Sequence, residues 1–314
     1  MPLKFGKSYI LLQRRSTVRN GTLFSVFYRL PRRSTTKPGL LLLLLLFERY
    51  TMENAIIIEN ASVYMDENLV LKNLSWTLEK GARCFLMGAN GAGKTTLVKL
   101  LMGFAWPVYG ARVEILGNVY GKCNLQEVRK KIGWVSPFMQ HWTSEDSKAL
   151  HVVLSGLDGS LGLFRDVTKE EVDRAMAILT ELNAAHLAER SWYALSSGEQ
   201  VKFLIARALI TSPELLILDE PSVYMDLAGR EYLLSEIERF ANSRPDLTLI
   251  FITQRIEEIM PVFKYGMALK HGEIFKSGTT EEVLTEENLE QIFNIPVKLL
   301  RSDNGRFWPV VGIR

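Results

Sequence analysis

Residues 88–96 have the types and spacing of a loop that binds phosphate. They read Gly88, Ala89, Asn90, Gly91, Ala92, Gly93, Lys94, Thr95 and Thr96, and they fit the pattern G-x-x-x-x-G-K-[ST] at every fixed position. Glycines permit a tight turn whose backbone N–H groups point at an anion, and a helix that begins near Lys94 adds the positive end of its dipole. We expect Lys94 to reach the terminal phosphates and Thr95 to place its hydroxyl on a bridging Mg²⁺.

The segments on either side of this loop bear on its function. The apolar run at 84–87 reads as a strand, and Leu97, Leu100 and Leu101 follow the loop at helical spacing until Gly103. A glycine-rich turn that merely links a strand to a helix is the alternative. Because every fixed position and both flanks agree, the sequence favours phosphate binding.

Two carboxylates end a second apolar run, at 215–220. A continuous apolar run is typical of a strand that is buried on both faces of a parallel sheet, and open α/β sheets bind ligands at the carboxyl ends of their strands. Asp219 can therefore hold the magnesium ion, and Glu220 can accept a proton from an attacking water. A strand end with two solvated acids is the alternative.

Two further features have more than one reading. Ser196 begins a polar stretch, 196–200, ahead of an apolar helix predicted for 201–210. Serine caps helix starts, but the free N–H groups of a helix start also bind phosphate. Tyr64 precedes Lys94 by about thirty residues, and its ring can either stack on a nucleotide base or lie half-buried in a sheet.

Charge is distributed unevenly along the chain. Residues 1–51 contain ten Lys/Arg and one acid, a local charge of +9, so that residues 52–314 carry +3 − 9 = −6. A mildly acidic body without a basic face argues against a nucleic-acid partner. The two cysteines have no pair spacing that suggests a metal site or a disulfide, which indicates a reducing compartment.

The first 51 residues are basic and rich in Ser and Thr, which is typical of an organelle transit peptide. The alternative is that Met52 is the true start and the extension is mis-assigned or dispensable. In either case we expect no regular structure before Met52.

Beyond Met52, strand and helix patterns alternate, which predicts an α/β fold with a mostly parallel sheet. Short strands near 55–58 and 74–78 suggest a small antiparallel sheet ahead of the phosphate loop. Thr168 and Glu171 predict a capping box at a helix start. The segment 306–309 is expected to pack its aromatic side chains on the domain, with no chemical role.

Three motifs, at 88–95, 196–200 and 215–220, resemble the ATP-binding cassette (ABC) ATPases in their order and spacing. The Ser-Ser-Gly-Glu-Gln stretch discriminates best, because phosphate loops occur in many enzymes. The resemblance covers about residues 55–295. Within the family, segments 132–136 and 256–261 look like stand-alone cassettes related to molybdenum-transport ATP-binding proteins.

This resemblance implies a P-loop NTPase (RecA-like) fold with a small antiparallel β subdomain and a helical signature subdomain at about 137–200. Together with the basic composition of the first residues, it divides the chain into an extension at 1–51, a nucleotide-binding domain at 52–295 and a tail at 296–314. It also implies that ATP and Mg²⁺ bind to the loop residues 88–96 together with Thr95 and Asp219, and that Lys94 and Glu220 are catalytic.

The family also pairs two cassettes head to tail around two ATP molecules. By resemblance, Ser196 and Gly198 meet the partner's γ-phosphate, and the signature residues Ser197 and Glu199 belong to the same site. Tyr64 matches the adenine-stacking aromatic residue of the family. Asp226 matches the acid that communicates across the dimer.

Two positions depart from the family pattern. The strand at 132–135 normally leads to a magnesium-sensing glutamine, where this chain has Ser136-Pro137, and Gln140 is the nearest substitute metal ligand. Gln254 replaces the switch histidine and, by resemblance, is the third catalytic residue. A glutamine donates a hydrogen bond but cannot become an imidazolium, so we expect slow hydrolysis.

These features predict an ATP-hydrolysing cassette that powers a separate membrane subunit, because the chain shows no spanning segment of its own. The partner contact is expected at 138–151, with Trp142 as a candidate or merely as a packed residue. A soluble nucleotide-dependent switch with little turnover is the second hypothesis, and a P-loop kinase is a third without an acceptor site. The expected location is cytoplasmic or at the cytoplasmic face of a membrane, or mitochondrial or plastid if residues 1–51 are a transit peptide.

Overall fold

A computed structural model describes residues 9–18, 22–31, 53–142, 147–160 and 162–312. The chain divides after Met52 into two units, which are described separately. In the first unit, β1 (Tyr9–Val18) pairs with β2 (Thr22–Pro31) in antiparallel register. The sequence predicts no regular structure here, but both segments are rich in the β-branched and aromatic residues that favour strands.

The second unit contains most of the strands. In chain order they are β3 (Asn54–Met65), β4 (Asn68–Glu79), β5 (Arg83–Met87), β6 (Arg112–Ile115), β7 (Asn118–Val119), β8 (Ile132–Val135), β9 (Leu215–Asp219), β10 (Thr248–Thr253), β11 (Tyr265–Lys270), β12 (Glu273–Thr279), β13 (Val297–Arg301) and β14 (Phe307–Val311). The central sheet has the order β12-β11-β5-β10-β9-β8, and only β12 is antiparallel to its neighbour. A second, antiparallel sheet has the order β4-β3-β6-β7. This arrangement confirms the predicted fold class, although β3 and β4 have 12 residues each and are not short.

The helices of this unit are α1 (Lys94–Leu101), α2 (Leu125–Lys130), α3 (Ala149–Leu154), α4 (Lys169–Glu181), α5 (Ser197–Leu209), α6 (Leu227–Ser243), α7 (Thr280–Val283) and α8 (Glu286–Phe293). The capping box of Thr168 and Glu171 is present at the start of α4. The sequence predicts one helical run over 280–293, but Thr285 caps a separate α8. Across the described ranges, no helix combines the length and apolar character needed to cross a bilayer.

Strand β9 shows why its sequence is apolar throughout. Leu216 and Leu218 pack into a core under α3, α4, α5 and α6, whereas Leu215 and Ile217 face a second core with α1 and the antiparallel sheet. Each of these fully buried side chains contributes roughly 1.5–3 kcal/mol relative to its exposed state. The strand is thus held from both faces up to Asp219.

The register of the parallel strands brings three chain segments to one edge of the sheet. Strand β10 lies between β5 and β9, with Thr253 opposite Met87 and Ile252 opposite Asp219. The phosphate loop follows β5, Glu220 follows β9 and Gln254 follows β10. Because carboxyl ends of neighbouring parallel strands meet at the same edge, the fold gathers these segments into one site.

Candidate functional site

The backbone of the phosphate loop adopts conformations that only glycine accepts easily. Gly91 has φ +79° and Gly93 has φ +104°. A side chain at Gly93 would collide with the Leu71 side chain, 2.8 Å from an ideal Cβ, whereas no described atom lies within 4 Å of a Cβ at Gly91. The loop thus packs tightly against β4 on one side and leaves open space at Gly91, as a phosphate cradle requires.

Lys94 at the start of α1 is buried, and its ammonium faces the loop. Its Nζ donates to the carbonyls of Gly88 at 2.8 Å and Ala89 at 3.2 Å, and it lies 3.5 Å from Glu220 Oε1. Burial lowers the pKa of Lys94, while the carboxylates of Glu220 and Asp219 act in the opposite direction. An anion in the cradle would favour the charged ammonium further.

Asp219 has the environment of a cation ligand. The side chain is buried, and burial, followed by the charge of Glu220, raises its pKa to about 6, while Lys94 opposes this rise. Thr95 is exposed towards the same cleft. A carboxylate and a hydroxyl are oxygen ligands that Mg²⁺ prefers, and a bound cation would favour the ionised form of Asp219. The residues present therefore fit a magnesium ion.

Glu220 is held in a strained conformation. Its φ is +50°, a region that costs a non-glycine residue of order 1–3 kcal/mol. Its N–H donates to the Ile252 carbonyl at 2.9 Å, and its Oε1 accepts from Gln254 Nε2 at 2.7 Å. The expected base and the residue in the switch position are therefore in direct contact.

These side chains line a cleft of about 440 Å³, large enough for a polyphosphate group. Its lining residues are Val70, Asn90, Gly91, Gly93, Lys94, Thr95, Thr96, Ser136, Pro137, Phe138, Asp219, Glu220, Val223, Tyr224 and Gln254. Tyr64 is half exposed on the β3–β4 hairpin, which reaches the cleft through Val70. Its stacking role stays a prediction.

Gln140 does not reach this cleft. The side-chain Nε2 of Gln140 donates to the Ser197 carbonyl at 3.4 Å, and the backbone carbonyl of Gln140 accepts from Trp192 Nε1 at 3.1 Å. The buried Ser136, at the end of β8, lines the cleft instead. This placement gives no support to Gln140 as a metal ligand, because a 3₁₀ turn at Pro137–Trp142 carries it towards α5.

The signature stretch forms a capped helix start. Ser196 Oγ accepts from the Glu199 N–H, and the Glu199 carboxylate accepts from the Ser196 N–H at 2.7 Å, so the capping interpretation is confirmed. Gly198 has open space, with its ideal Cβ 3.8 Å from Met225 Sδ. None of residues 196–199 lines the cleft that contains Lys94.

Comparison with known proteins identifies the family. The family model described as ABC transporter matches residues 71–223. The chain is 38% identical to the uncharacterized ABC transporter ATP-binding protein YlmA of Bacillus subtilis, over 80% of this chain and 95% of YlmA. The chain belongs to the ABC transporter family of ATP-binding proteins.

Two other members of the family agree with this assignment. The molybdate import ATP-binding protein MolC of Haemophilus influenzae is 32% identical over 78% of this chain and 90% of its own, in line with the predicted resemblance to molybdenum-transport proteins. A solved chain of a metal-chelate type ABC transporter in an inward-facing conformation superposes with a TM-score of 0.68 at 29% identity, covering 82% of this chain and 98% of its own.

Within the cassette, Asp226 has a local role. Its Oδ1 accepts from the Gly229 N–H at 2.7 Å and caps α6, the helix that follows the acidic strand. Its role across a dimer stays a prediction. The side chain of Trp142 and residues 143–146, part of the expected partner contact, lie outside the described residues.

Sequence reasoning missed two residues of the cassette that act close to the acids. The indole N–H of Trp134 counteracts a small part of the rise in the pKa of Asp219, but it is too poorly aligned to form a hydrogen bond with any described group. Glu258 is a buried carboxylate behind Gln254. The only signal for either in the sequence was its distance of a few residues from a motif.

Proposed function

We propose that this cassette binds and hydrolyses Mg-ATP, and that nucleotide joins it to a second cassette head to tail. The observation that carries the proposal is the single cleft shared by Lys94, Asp219, Glu220 and Gln254. The capped helix start at Ser196 lies outside that cleft, so it is free to cover the nucleotide of another subunit. Two copies of this chain, or this chain and a different cassette, would then enclose two nucleotides.

Each side chain has a part in the hydrolytic reaction. Lys94 balances the charge of the terminal phosphates, and Thr95 with Asp219 would hold a magnesium ion that stabilises the same charge. Glu220 takes a proton from the attacking water. Gln254 orients the Glu220 carboxylate through its 2.7 Å hydrogen bond.

The same contact supports slow turnover. The amide of Gln254 already donates to Glu220 Oε1, and a neutral amide supplies no positive charge to the γ-phosphate. Loss of one charge-stabilising contact typically costs ~10²–10³ in rate. This observation also favours the second candidate, a nucleotide-dependent switch that closes on ATP and rarely cleaves it.

The surface next to the acids suits a second cassette. Val223 and Tyr224, in the segment between Glu220 and α6, and Leu227, the first residue of α6, are exposed apolar residues, and Asp226 lies between them in the chain. Clustered apolar exposure of this kind marks interaction surfaces. A separate membrane subunit would bind near residues 138–151 on the cytoplasmic side, or inside an organelle if residues 1–51 direct the chain there.

The test compares wild-type protein with Glu220→Gln by light scattering, with and without Mg-ATP. The variant keeps the cradle but lacks the base, so we expect stable ATP-dependent dimers, whereas wild type should show fewer at steady state. Measured ATP turnover separates the hydrolytic cassette from the slow switch. A Glu220→Gln protein that stays monomeric in saturating Mg-ATP, alone and with its membrane partner, would overturn head-to-tail closure.

A further inference from the structure

Glu258 is a buried carboxylate that has no assigned part in the hydrolytic reaction proposed above. It ends the 3₁₀ turn Ile256–Glu258, four residues after Gln254, and is only 2% exposed. A buried carboxylate is costly unless donors surround it. Glu258 lies directly behind the edge of the central sheet that carries Asp219, Glu220 and Gln254, which is called the acid edge here.

Its two oxygens link the segment that follows β9 to the last residue of β10. Oε1 accepts from Ser222 Oγ at 2.7 Å, and Oε2 accepts from Thr253 Oγ1 at 2.5 Å. Both hydroxyls belong to fully buried residues. A weaker contact from Arg255 Nη1, at 3.4 Å to Oε1, supplies a positive charge.

These partners are adjacent in sequence to the reacting pair. Ser222 follows Glu220 by two residues, and Thr253 directly precedes Gln254. One carboxylate thus fixes the backbone behind both groups whose side chains meet at 2.7 Å. The strained φ of Glu220 makes such support necessary, because strained residues persist only where their surroundings hold them.

We propose that Glu258 is a positioning residue that sets the Glu220–Gln254 geometry for hydrolysis, acting through Ser222 and Thr253. The inference rests on the proposed function. A carboxylate suits the task because it offers two acceptors to two hydroxyl donors, whereas the amide of Gln would place a donor against one of them. A misplacement of about 1 Å at a reacting pair can cost ~10² in rate.

The 3₁₀ turn Ile256–Glu258 is also held by contacts that do not involve the Glu258 carboxylate. Arg306, on the C-terminal hairpin of β13 and β14, donates from Nε to the Glu257 carbonyl at 3.1 Å and pairs with Glu231 of α6. The 3₁₀ turn should therefore keep its place when the Glu258 carboxylate is altered.

The experiment measures kcat and KM for ATP in Glu258→Gln. We expect kcat to fall ~10–100-fold with KM changed less than about threefold, because the substituted group supports the reaction and not nucleotide binding. Glu236→Gln is the matched control: Glu236 is also buried and paired, with Arg239 at 2.6 Å, but lies on α6 away from the cleft. The Glu236→Gln variant should be less stable than wild type, and its kcat should be unchanged.

A double-mutant cycle with Gln254→Ala adds a readout that a purely structural role would not move. If Glu258 acts through Gln254, the two losses in kcat should be clearly less than additive. Unchanged kcat in Glu258→Gln, or a loss that merely follows its melting temperature as in Glu236→Gln, would overturn the proposal. Should wild type show no turnover at all, hydrolysis itself is refuted, and unaltered amide exchange over 220–226 in Glu258→Gln would then refute the positioning role separately.

Discussion

The phosphate loop and the acid edge of the same cleft are built in different ways. The loop is one continuous segment whose shape follows from glycines at positive φ and from Lys94 bonding to its own loop carbonyls. The acid edge joins groups far apart in the chain, such as Gln254 to Glu220 across 34 residues and Ser222 to Glu258 across 36. The loop is therefore shaped largely by its own residues, whereas the geometry of the acid edge depends on contacts between separate segments, where single substitutions can change the rate.

The largest effect on ATP binding and turnover is expected from Lys94→Ala, which alters the phosphate loop. Loss of the buried ammonium leaves the phosphate charge uncompensated, so ATP affinity should fall by at least ~10-fold and turnover by ~10³ or more. Equilibrium binding of a fluorescent ATP analogue and phosphate release measure the two effects. Lys99→Ala on the same helix, outside the cleft lining, is the control. Turnover within threefold of wild type in Lys94→Ala would contradict the assignment.

Gln254→His tests whether the acid edge tunes the rate. An imidazole in this position can carry positive charge next to Glu220 Oε1, where the amide carries none. We expect turnover to rise by up to ~10² with little change in ATP affinity. The gain should disappear when Glu220→Gln is added, since the base is then absent. No gain in the single variant would show that Gln254 does not limit the reaction.

The same contrast explains what could be predicted from the sequence. Strand β9, the phosphate loop and the Thr168 cap depend on neighbours within a few residues, and their patterns identified them. Glu258 contacts the nearby Thr253 but also Ser222, 36 residues away. Arg306 contacts Glu257 and Glu231, 49 and 75 residues away. No local pattern reveals these distant partners. The expectation for Gln140 rests on its short distance along the chain from Ser136, but the 3₁₀ turn directs its side chain to the Ser197 carbonyl, so the structure gives that expectation no support.

Asp219→Asn tests the electrostatic state of the acid edge in protein kept in EDTA. Burial raises the pKa of Asp219 from 3.8 to about 6, so the folded chain binds more protons than the unfolded chain between these values. The contribution of Asp219 should therefore make the wild-type protein more stable as the pH falls from 8 towards 5. The difference between a pKa of 3.8 and one of about 6 corresponds to roughly 3 kcal/mol of unfolding free energy at pH 8.

The asparagine variant should lack this part of the pH dependence and be the more stable protein at pH 8. Urea unfolding at pH 5 and pH 8 measures both effects, and the difference between variants removes contributions from histidines. Asp226→Asn, at the exposed cap of α6, serves for comparison. If the unfolding free energy changed equally with pH in wild type and Asp219→Asn, a raised pKa of Asp219 in the folded protein would be refuted.

The smallest effect is expected from Gln140→Ala, and it separates closeness in sequence from closeness in space. The variant loses a long hydrogen bond to the Ser197 carbonyl, at 3.4 Å and worth about 0.5 kcal/mol, and the packing of a buried side chain. Because Gln140 does not line the cleft, the Mg²⁺ concentration for half-maximal turnover should change less than ~2-fold. Ser136→Ala removes a hydroxyl that lines the cleft and should raise that concentration several-fold. A larger shift in Gln140→Ala than in Ser136→Ala would mean that the 3₁₀ turn rearranges to bring Gln140 to the metal. The acid edge would then include a further chain segment, and it would differ even more from the continuous phosphate loop.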